Sequence, residues 1–431
     1  MVTYNAIVIG AGTAGLSIAA LLGNAGYKTL VLEKQKFVGG RARTFQKNGY
    51  IIDYGFHTLR GSYQKVFHPL NMEVHRARMP LSKGIIIEDR GILHKLPKLS
   101  SFFKAKTLTL KDVNFLIRHL ARLMLSDPAH YFNVSIKQWL NSIGASPRLE
   151  RLFKLISLAL LICPFLERAS LGEVILNLKH LNVTGMGHPE GGFWQVHQAL
   201  IWKLNKCGGE LRLGTEVKNI VIENNEAIGV QLADEEIQAD LIVNSLPVQK
   251  LNTLLDESLL NENYRNYIKN LRPTAGISID YGLSEKYFKE VMFLVPEPAI
   301  LGSITSNIDE TTAPKNKQLV TFLNVLNLET VQNRQKAQEK LKRLEEKMFT
   351  LFPKLEEKIE WKRTLFLEMV DGVELNINQT QDKRPDVQVP GISNLFIASD
   401  STCAEGAGGD IAFSSARLCF DRIMQTKNKT I

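Results

Sequence analysis

Cysteine is scarce in this chain, and what there is carries no pattern. Cys163, Cys207, Cys403 and Cys419 form no Cys-x-x-Cys pair and no zinc-like spacing. That argues against a disulfide framework or a zinc site and for a reducing compartment. Long apolar runs are missing as well. No stretch approaches the roughly 18 uncharged apolar residues of a membrane span, so a transmembrane helix is not expected. The first strand starts almost at once, with no basic n-region or apolar h-region before it. A secretory signal is therefore not expected, and the expected location is cytoplasmic. No nucleic-acid-binding module is recognisable, and no Ser-His-Asp triad or carboxylate pair has recognisable flanking sequence.

What is present is ordinary in bulk. The chain has 431 residues, 44% hydrophobic and 23% charged, enough for two or three domains' worth of core. The net charge of +9 suits an anionic membrane surface, a nucleic acid or an acidic substrate, or basic residues spread over solvated faces. One local candidate for a peripheral membrane contact is residues 95–111. There Lys95, Lys98, Lys104, Lys106 and Lys111 interleave with Leu96, Leu99, Phe102, Phe103 and Leu110. Basic residues mixed with Leu and Phe suit an interfacial segment on anionic lipid.

The stretch from Asn5 to Arg41 organises the rest. The apolar run Ala6-Ile7-Val8-Ile9 is short enough for one buried strand, and Gly10-Ala11-Gly12-Thr13-Ala14-Gly15 turns sharply after it. A helical stretch, Leu16 to Leu22, ends in turn residues, and a second apolar strand, Thr29 to Leu32, delivers Glu33. This is a βαβ unit with the dinucleotide fingerprint. The first glycine makes the turn, the second admits a pyrophosphate to the backbone, and the third lets helix and strand pack closely. The helix N-terminus offers free N–H groups to phosphate. Glu33 follows Gly15 by 18 residues, close to the roughly 20 expected for an acid that accepts from ribose hydroxyls.

After Lys34 to Val38 the chain reads Gly39-Gly40-Arg41-Ala42-Arg43. With this addition the sequence resembles the FAD-dependent amine oxidase and phytoene desaturase superfamily, whose signature is the fingerprint, a carboxylate, then Gly-Gly-Arg. The resemblance implies FAD rather than NAD. Paired glycines admit the cofactor to the backbone, and a guanidinium can neutralise pyrophosphate charge.

Two further blocks carry the resemblance. Pro189-Glu190-Gly191-Gly192, a helix from Gln195 to Lys206, a strand at Glu210 to Leu213, Thr215 to Ile222, and a closing strand, Ala239 to Ser245, resemble the family's second block. Leu395-Phe396-Ile397-Ala398-Ser399-Asp400, a loop through Gly408-Gly409 and a helix from Asp410 to Met424 resemble its C-terminal motif. There the Asp contacts the ribityl–pyrophosphate portion, and the helix N-terminus faces the flavin pyrimidine edge, where partial positive charge stabilises a reduced flavin. Ser399 departs from the glycine usual before that Asp. The family's cysteine attachment motif does not match at Cys403, so an inert loop thiol is its default reading. By resemblance the cofactor-binding candidates are Gly10, Gly12, Thr13, Ala14, Gly15, Glu33, Lys34, Gly40, Arg41, Gly55, His57, Val217, Asp400, Gly408 and Ile411. Val217 would pair with adenine through its backbone. Gly55 would allow close approach to the flavin ring. His57 is the one candidate for contacting flavin or substrate, against the plainer reading of a packed turn histidine.

The implied fold is α/β. A Rossmann-like FAD-binding domain in three segments (1–64, 185–247 and 385–431) is interleaved with an α+β substrate domain (65–184 and 248–384). Within the latter, Asp112 to Leu125 has helical spacing, Ser135 to Gln138 reads as a capped helix start, and Leu152 to Leu161 reads as a buried helix. This apolar block suits a cap over a lipid-like substrate and equally an ordinary core. A charged helix, Glu329 to Leu351, has an apolar face of Ala337, Leu341, Leu344, Met348 and Leu351. The expected activity is desaturation or reduction of an apolar isoprenoid- or carotenoid-like molecule by hydride transfer with flavin N5. Open alternatives are a flavin amine oxidase or protoporphyrinogen-type oxidase, and a non-catalytic prenyl-binding escort.

Overall fold

The run Ala6–Ile9 has no polar face, so it must be covered on both sides. In the computed structural model, which describes residues 4–55, 58–80, 83–96 and 109–429, it forms the strand Tyr4–Ile9, buried except at Asn5. This strand pairs in parallel with Thr29–Glu33 on one side and Glu236–Asn244 on the other. Glu210–Leu213 and Leu395–Ile397 extend the parallel set. Asn219–Glu223 and Glu226–Gln231 add an antiparallel wing. Three distant parts of the chain therefore meet in one sheet. The helices Thr13–Asn24, Trp194–Lys206 and Gly409–Lys429 cover one face, where Leu16, Leu22, Leu200, Leu204, Phe413 and Ala416 pack on Ala6, Val8, Val31 and Val243. Ile7, Ile9, Leu30, Leu32 and Ile242 point to the other face and pack with Val248, Leu251 and Ile268.

A second sheet of seven strands runs in the order Ile359–Leu367, Ala275–Leu283, Gln318–Leu326, Ile300–Ser303, Met292–Val295, Ile85–Asp89 and Ile92–Leu96. All its pairings are antiparallel except Met292–Val295 with Ile85–Asp89. That parallel pairing joins two stretches that the chain reaches some two hundred residues apart. The expected helix Glu329–Leu351 is divided into Leu328–Gln332 and Arg334–Leu351. Asn333 separates them in an extended conformation, and its side chain accepts the Lys336 N–H at 3.0 Å. Asparagine caps a helix better than it continues one. The second piece buries Ala337, Leu344, Met348 and Leu351 against Ile277, Ile279 and Phe322, as its spacing requires.

Between the first sheet's visits lies a helical block: Leu110–Leu125, Ile136–Ser142, Pro147–Leu161 and Leu171–Thr184. Ser135 and Gln138 form the expected capping box. Pro147–Leu161 starts earlier than its apolar run suggests, because Ser146 caps it and Pro147 suits its first turn.

A buried charge clamp ties the hairpin Thr44–Lys47 and Tyr50–Asp53 and the short strand Gly187–Pro189 to the second sheet. His188, in the short strand Gly187–Pro189, lies between Asp53 at 2.9 Å and Asp309 at 3.2 Å. Asp53 also accepts from Thr44 Oγ1 and the Phe193 N–H, and Asp309 accepts the Gly191 N–H at 2.9 Å. Arg363 donates to the Asp53 carbonyl and to Asp280. Burial opposes a charged imidazole, but hydrogen bonds and charge from both carboxylates win and push His188 up to about 9. A raised imidazole pKa stabilises the fold fully below its ordinary value and ceases to do so as pH rises through the raised one. The melting temperature should thus fall between about pH 6.5 and pH 9, by an amount reflecting a few kcal/mol. In His188→Gln that part of the pH slope should vanish; thermal melts across the range compare the two proteins.

Candidate functional site

The fingerprint glycines differ in what surrounds them. Gly10 has φ +100°, and a Cβ there would meet Ser245 Oγ at 2.8 Å. A Cβ on Gly15 would lie 2.1 Å from the Gly10 carbonyl oxygen, so this position fixes the helix against the turn. At Gly12 a Cβ would meet nothing within 4 Å. Gly12 is also the N-cap of Thr13–Asn24, and no side chain caps that helix. Its first N–H groups and partial positive charge face an open cradle, the arrangement that takes a phosphate.

Glu33 closes one side of this loop. Its Oε2 accepts the Ala11 N–H and its Oε1 the Gln35 N–H, each at 2.8 Å. Each carboxylate oxygen retains acceptor capacity for a ribose hydroxyl. Gly39, with φ +102°, bridges to Gly12 and donates its N–H to the Ala11 carbonyl. A side chain there would press on the His197 ring at 3.1 Å, and His197 Nε2 in turn lies 3.0 Å from Thr13 Oγ1.

Arg41 reaches across to the C-terminal motif. Its Nη2 is 2.5 Å from Asp400 Oδ1, and its Nη1 donates to the Val370 carbonyl at 3.2 Å. Asp400 Oδ2 accepts the Gly372 N–H at 2.7 Å. Ser399 is accommodated by a buried hydroxyl cluster: its Oγ lies 2.7 Å from Ser401 Oγ, and its N–H donates to Ser415 Oγ. Beneath the loop, buried Arg384 donates to the Thr402 and Ala404 carbonyls and pairs with buried Glu173 at 3.2 Å.

These pieces line one cleft of about 310 Å³. Of the residues singled out in the sequence, Gly10, Gly12, Thr13, Ala14, Glu33, Gly40, Arg41, Asp400 and Gly408 lie on its wall. Glu33 and Asp400, at the two ends of the chain, therefore face a common space. The final helix opens into it at Gly409 and Asp410. Gly15 and Ile411 are packed behind the wall, Lys34 is exposed, and Val217 is buried in the core on the other face of the first sheet. Gly55 has φ +97° but is not on the wall. His57 lies outside the described residues. Cys403 is off the wall too, and burial pushes its thiol up, as suits an inert group.

The wall also contains residues that carry no motif. Asp371 stands beside Asp400, and Arg60 lies 3.8 Å from Asp410. From the helix Pro147–Leu161 and its end come Ala159, Leu160 and Ile162, joined by Met186 and Met292. Among the described wall residues Phe193 is the single aromatic. A glycine-lined, cation-bearing end and an apolar end can hold a dinucleotide with an apolar molecule at its far side.

The family described as flavin containing amine oxidoreductase matches residues 13–424. The chain is 26% identical over 389 residues to a phytoene desaturase of Fusarium fujikuroi, an alignment covering 74% of this chain and 65% of that protein. It thus spans slightly less than two thirds of that curated relative. An oxidoreductase from Methanosarcina mazei superposes with a TM-score of 0.82 at 22% identity, covering 98% of this chain and 100% of its own. Putrescine oxidase bound to putrescine gives 0.74 at 13% identity, with 99% of each chain covered.

The two glycine environments separate cofactor binding from folding. Gly12→Val should fold with little change in melting temperature, yet weaken FAD binding by roughly a hundredfold, about 2.7 kcal/mol. Gly15→Ala should lower the melting temperature itself. Flavin titration and thermal melts of both variants check this.

Proposed function

Since the chain belongs to the flavin containing amine oxidoreductase family, and its cofactor is FAD, we propose an FAD-dependent oxidoreductase acting on an apolar isoprenoid- or carotenoid-like molecule. It would desaturate or reduce that molecule by hydride transfer with flavin N5. FAD supplies the two-electron chemistry when bound. The chain's own residues hold the dinucleotide at Gly12, Glu33, Arg41 and Asp400, and exclude water at the apolar end. We take residues 65–184 and 248–384 as the part that meets the substrate.

The observation that carries this reading is the apolar end of the cleft. Ala159, Leu160, Ile162, Met186 and Met292 offer no charge and no hydrogen-bonding side chain. A polar amine would be desolvated there without a partner. Among the described wall residues a single aromatic, Phe193, gives no support to an aromatic cage for an amine. The intact Gly39-Gly40-Arg41 and Asp400 favour a catalyst over a non-catalytic escort.

Anaerobic mixing tests the ranking. Flavin absorbance should bleach, or reduced flavin recover its colour, with a polyene of the isoprenoid class and stay unchanged with primary amines. Bleaching by an amine alone reverses the assignment. Ile162→Asp should keep FAD but lower kcat/KM for the polyene roughly ten- to a hundredfold, the cost of about 1–3 kcal/mol for an unpaired polar group in an apolar site.

The membrane reading moves along the chain. Residues 97–108 lie outside the described residues, but Leu110–Leu125 follows directly. Leu110, Ile117 and Leu125 are 70%, 57% and 89% exposed on this helix. Lys111, Arg118 and Arg122 are exposed beside them, while the helix's one acid, Asp112, is buried in its cap. An apolar stripe on a helix whose own exposed charges are all cations suits anionic lipid. The helix packs on Pro147–Leu161 through Val113 and Leu149, so this face adjoins the element that lines the apolar end. Vesicles containing phosphatidylglycerol should sediment the protein and pure phosphatidylcholine vesicles much less. The pair Ile117→Glu and Leu125→Glu should reduce that binding at least tenfold, since each inserted side chain contributes about 1.5–3 kcal/mol when fully buried.

A further inference from the structure

Asp371 is placed in the cleft by backbone straps on both sides. The Val370 N–H donates to the Thr274 carbonyl at 2.8 Å, the Asp371 N–H to Thr274 Oγ1 at 2.8 Å, and the Gly372 N–H to Asp400 Oδ2 at 2.7 Å. Arg41 holds the Val370 carbonyl from across the cleft. The loop has little freedom, so its carboxylate cannot swing away. A Cβ at Gly408 would lie 2.6 Å from Asp371 Oδ1, so that loop packs directly on the carboxylate.

The surrounding charge is unbalanced. Arg41 is engaged by Asp400 at 2.5 Å, and Arg60 is drawn to Asp410 at 3.8 Å. Glu33 apart, which backbone N–H groups hold, two guanidinium groups thus serve the three other carboxylates of this wall, and among the described residues Asp371 has only a long bond from Thr274 Oγ1 at 3.3 Å. A bound dinucleotide would bring two more negative charges to the same cleft.

We propose that Asp371 makes FAD binding take up a proton: beside Asp400, and without a cation of its own, its carboxyl must be neutral when the diphosphate is held. This rests on FAD as the cofactor. In the free cleft, burial and then the Asp400 carboxylate already push Asp371 up to about 6, against the pull of Arg41, Thr274 and Arg60. Below that value the carboxyl is neutral and affinity is flat. Above it, binding must recruit a proton from solvent, and affinity falls by up to about tenfold per pH unit.

Diluting the holoenzyme into buffers from about pH 5.5 to about pH 8.5 and reading the fluorescence of released flavin gives the dissociation constant at each pH. Wild type should weaken steadily above about pH 6. Asp371→Asn should bind with no such slope, and near pH 8 should match the wild type near pH 5.5. An affinity independent of pH in the wild type overturns the proposal, as does an unchanged slope in the variant. Calorimetry near pH 7.5 in two buffers of different ionisation heat reads the proton directly in wild type alone. Uptake of close to one proton per FAD supports the assignment, and none overturns it. Failure to bind FAD at any pH would overturn the cofactor assignment and this proposal with it.

Discussion

The ion pair between Arg41 and Asp400 spans 359 positions of sequence. It forms because the first and last parts of the chain lie in one parallel sheet with a single strand between them. Tyr4–Ile9 and Leu395–Ile397 both flank Glu236–Asn244, on opposite sides. Parallel strands deliver their following loops to the same edge, so Gly10, Ser245 and Ala398–Asp400 emerge together. The Gly39–Arg41 loop then lies against the first of these through the bridge from Gly12 to Gly39. A cleft built this way needs small residues where backbones touch and charge where they part, and both are found.

That geometry explains which parts were legible in the sequence. Gly10, Gly12 and Gly15 were readable because their demands fall on the backbone: a positive φ, an open cradle and a contact closer than any side chain allows. Glu33 was readable because it ends an apolar strand of the parallel set, and Asp400 because it follows another by three residues. Asp371 and Arg60 were not. Asp371 follows Ile359–Leu367, an edge strand of the second sheet, and Arg60 follows Leu59, which bridges to Gly187; no spacing in the chain records either pairing. Val217 illustrates a different limit, since a backbone contact to a base places no demand on the side chain. The division of the long charged helix at Asn333 was a local signal passed over, because the apolar spacing continues through it while the capping preference does not.

The clamp around His188 fastens smaller pieces of the chain to the second sheet. Asp53 comes from the hairpin Thr44–Lys47 and Tyr50–Asp53, Asp309 and Arg363 from the region of the second sheet, and His188 from the turn that leads into Trp194–Lys206. That helix carries His197, which touches Thr13 in the fingerprint loop. A buried charge network of this kind is poor at adding net stability but strict about geometry, because any displaced member leaves a charge unpaired. Its place here links the second sheet, through the start of Trp194–Lys206, to the fingerprint loop.

The cleft is polar at one end and apolar at the other, and the two characters come from different parts of the chain. Its charge belongs to loops at the edge of the first sheet and to Asp371; its apolar wall belongs to Pro147–Leu161, Met186 and Met292. A dinucleotide laid along such a cleft would have its diphosphate where dipoles and guanidinium groups are fixed, and its reactive ring where water is least welcome. On the proposed reading the reacting carbon of the substrate would lie against this wall, which contributes shape and the exclusion of water. The cleft thus joins a rigid, charge-bearing cradle on one side to an apolar surface on the other.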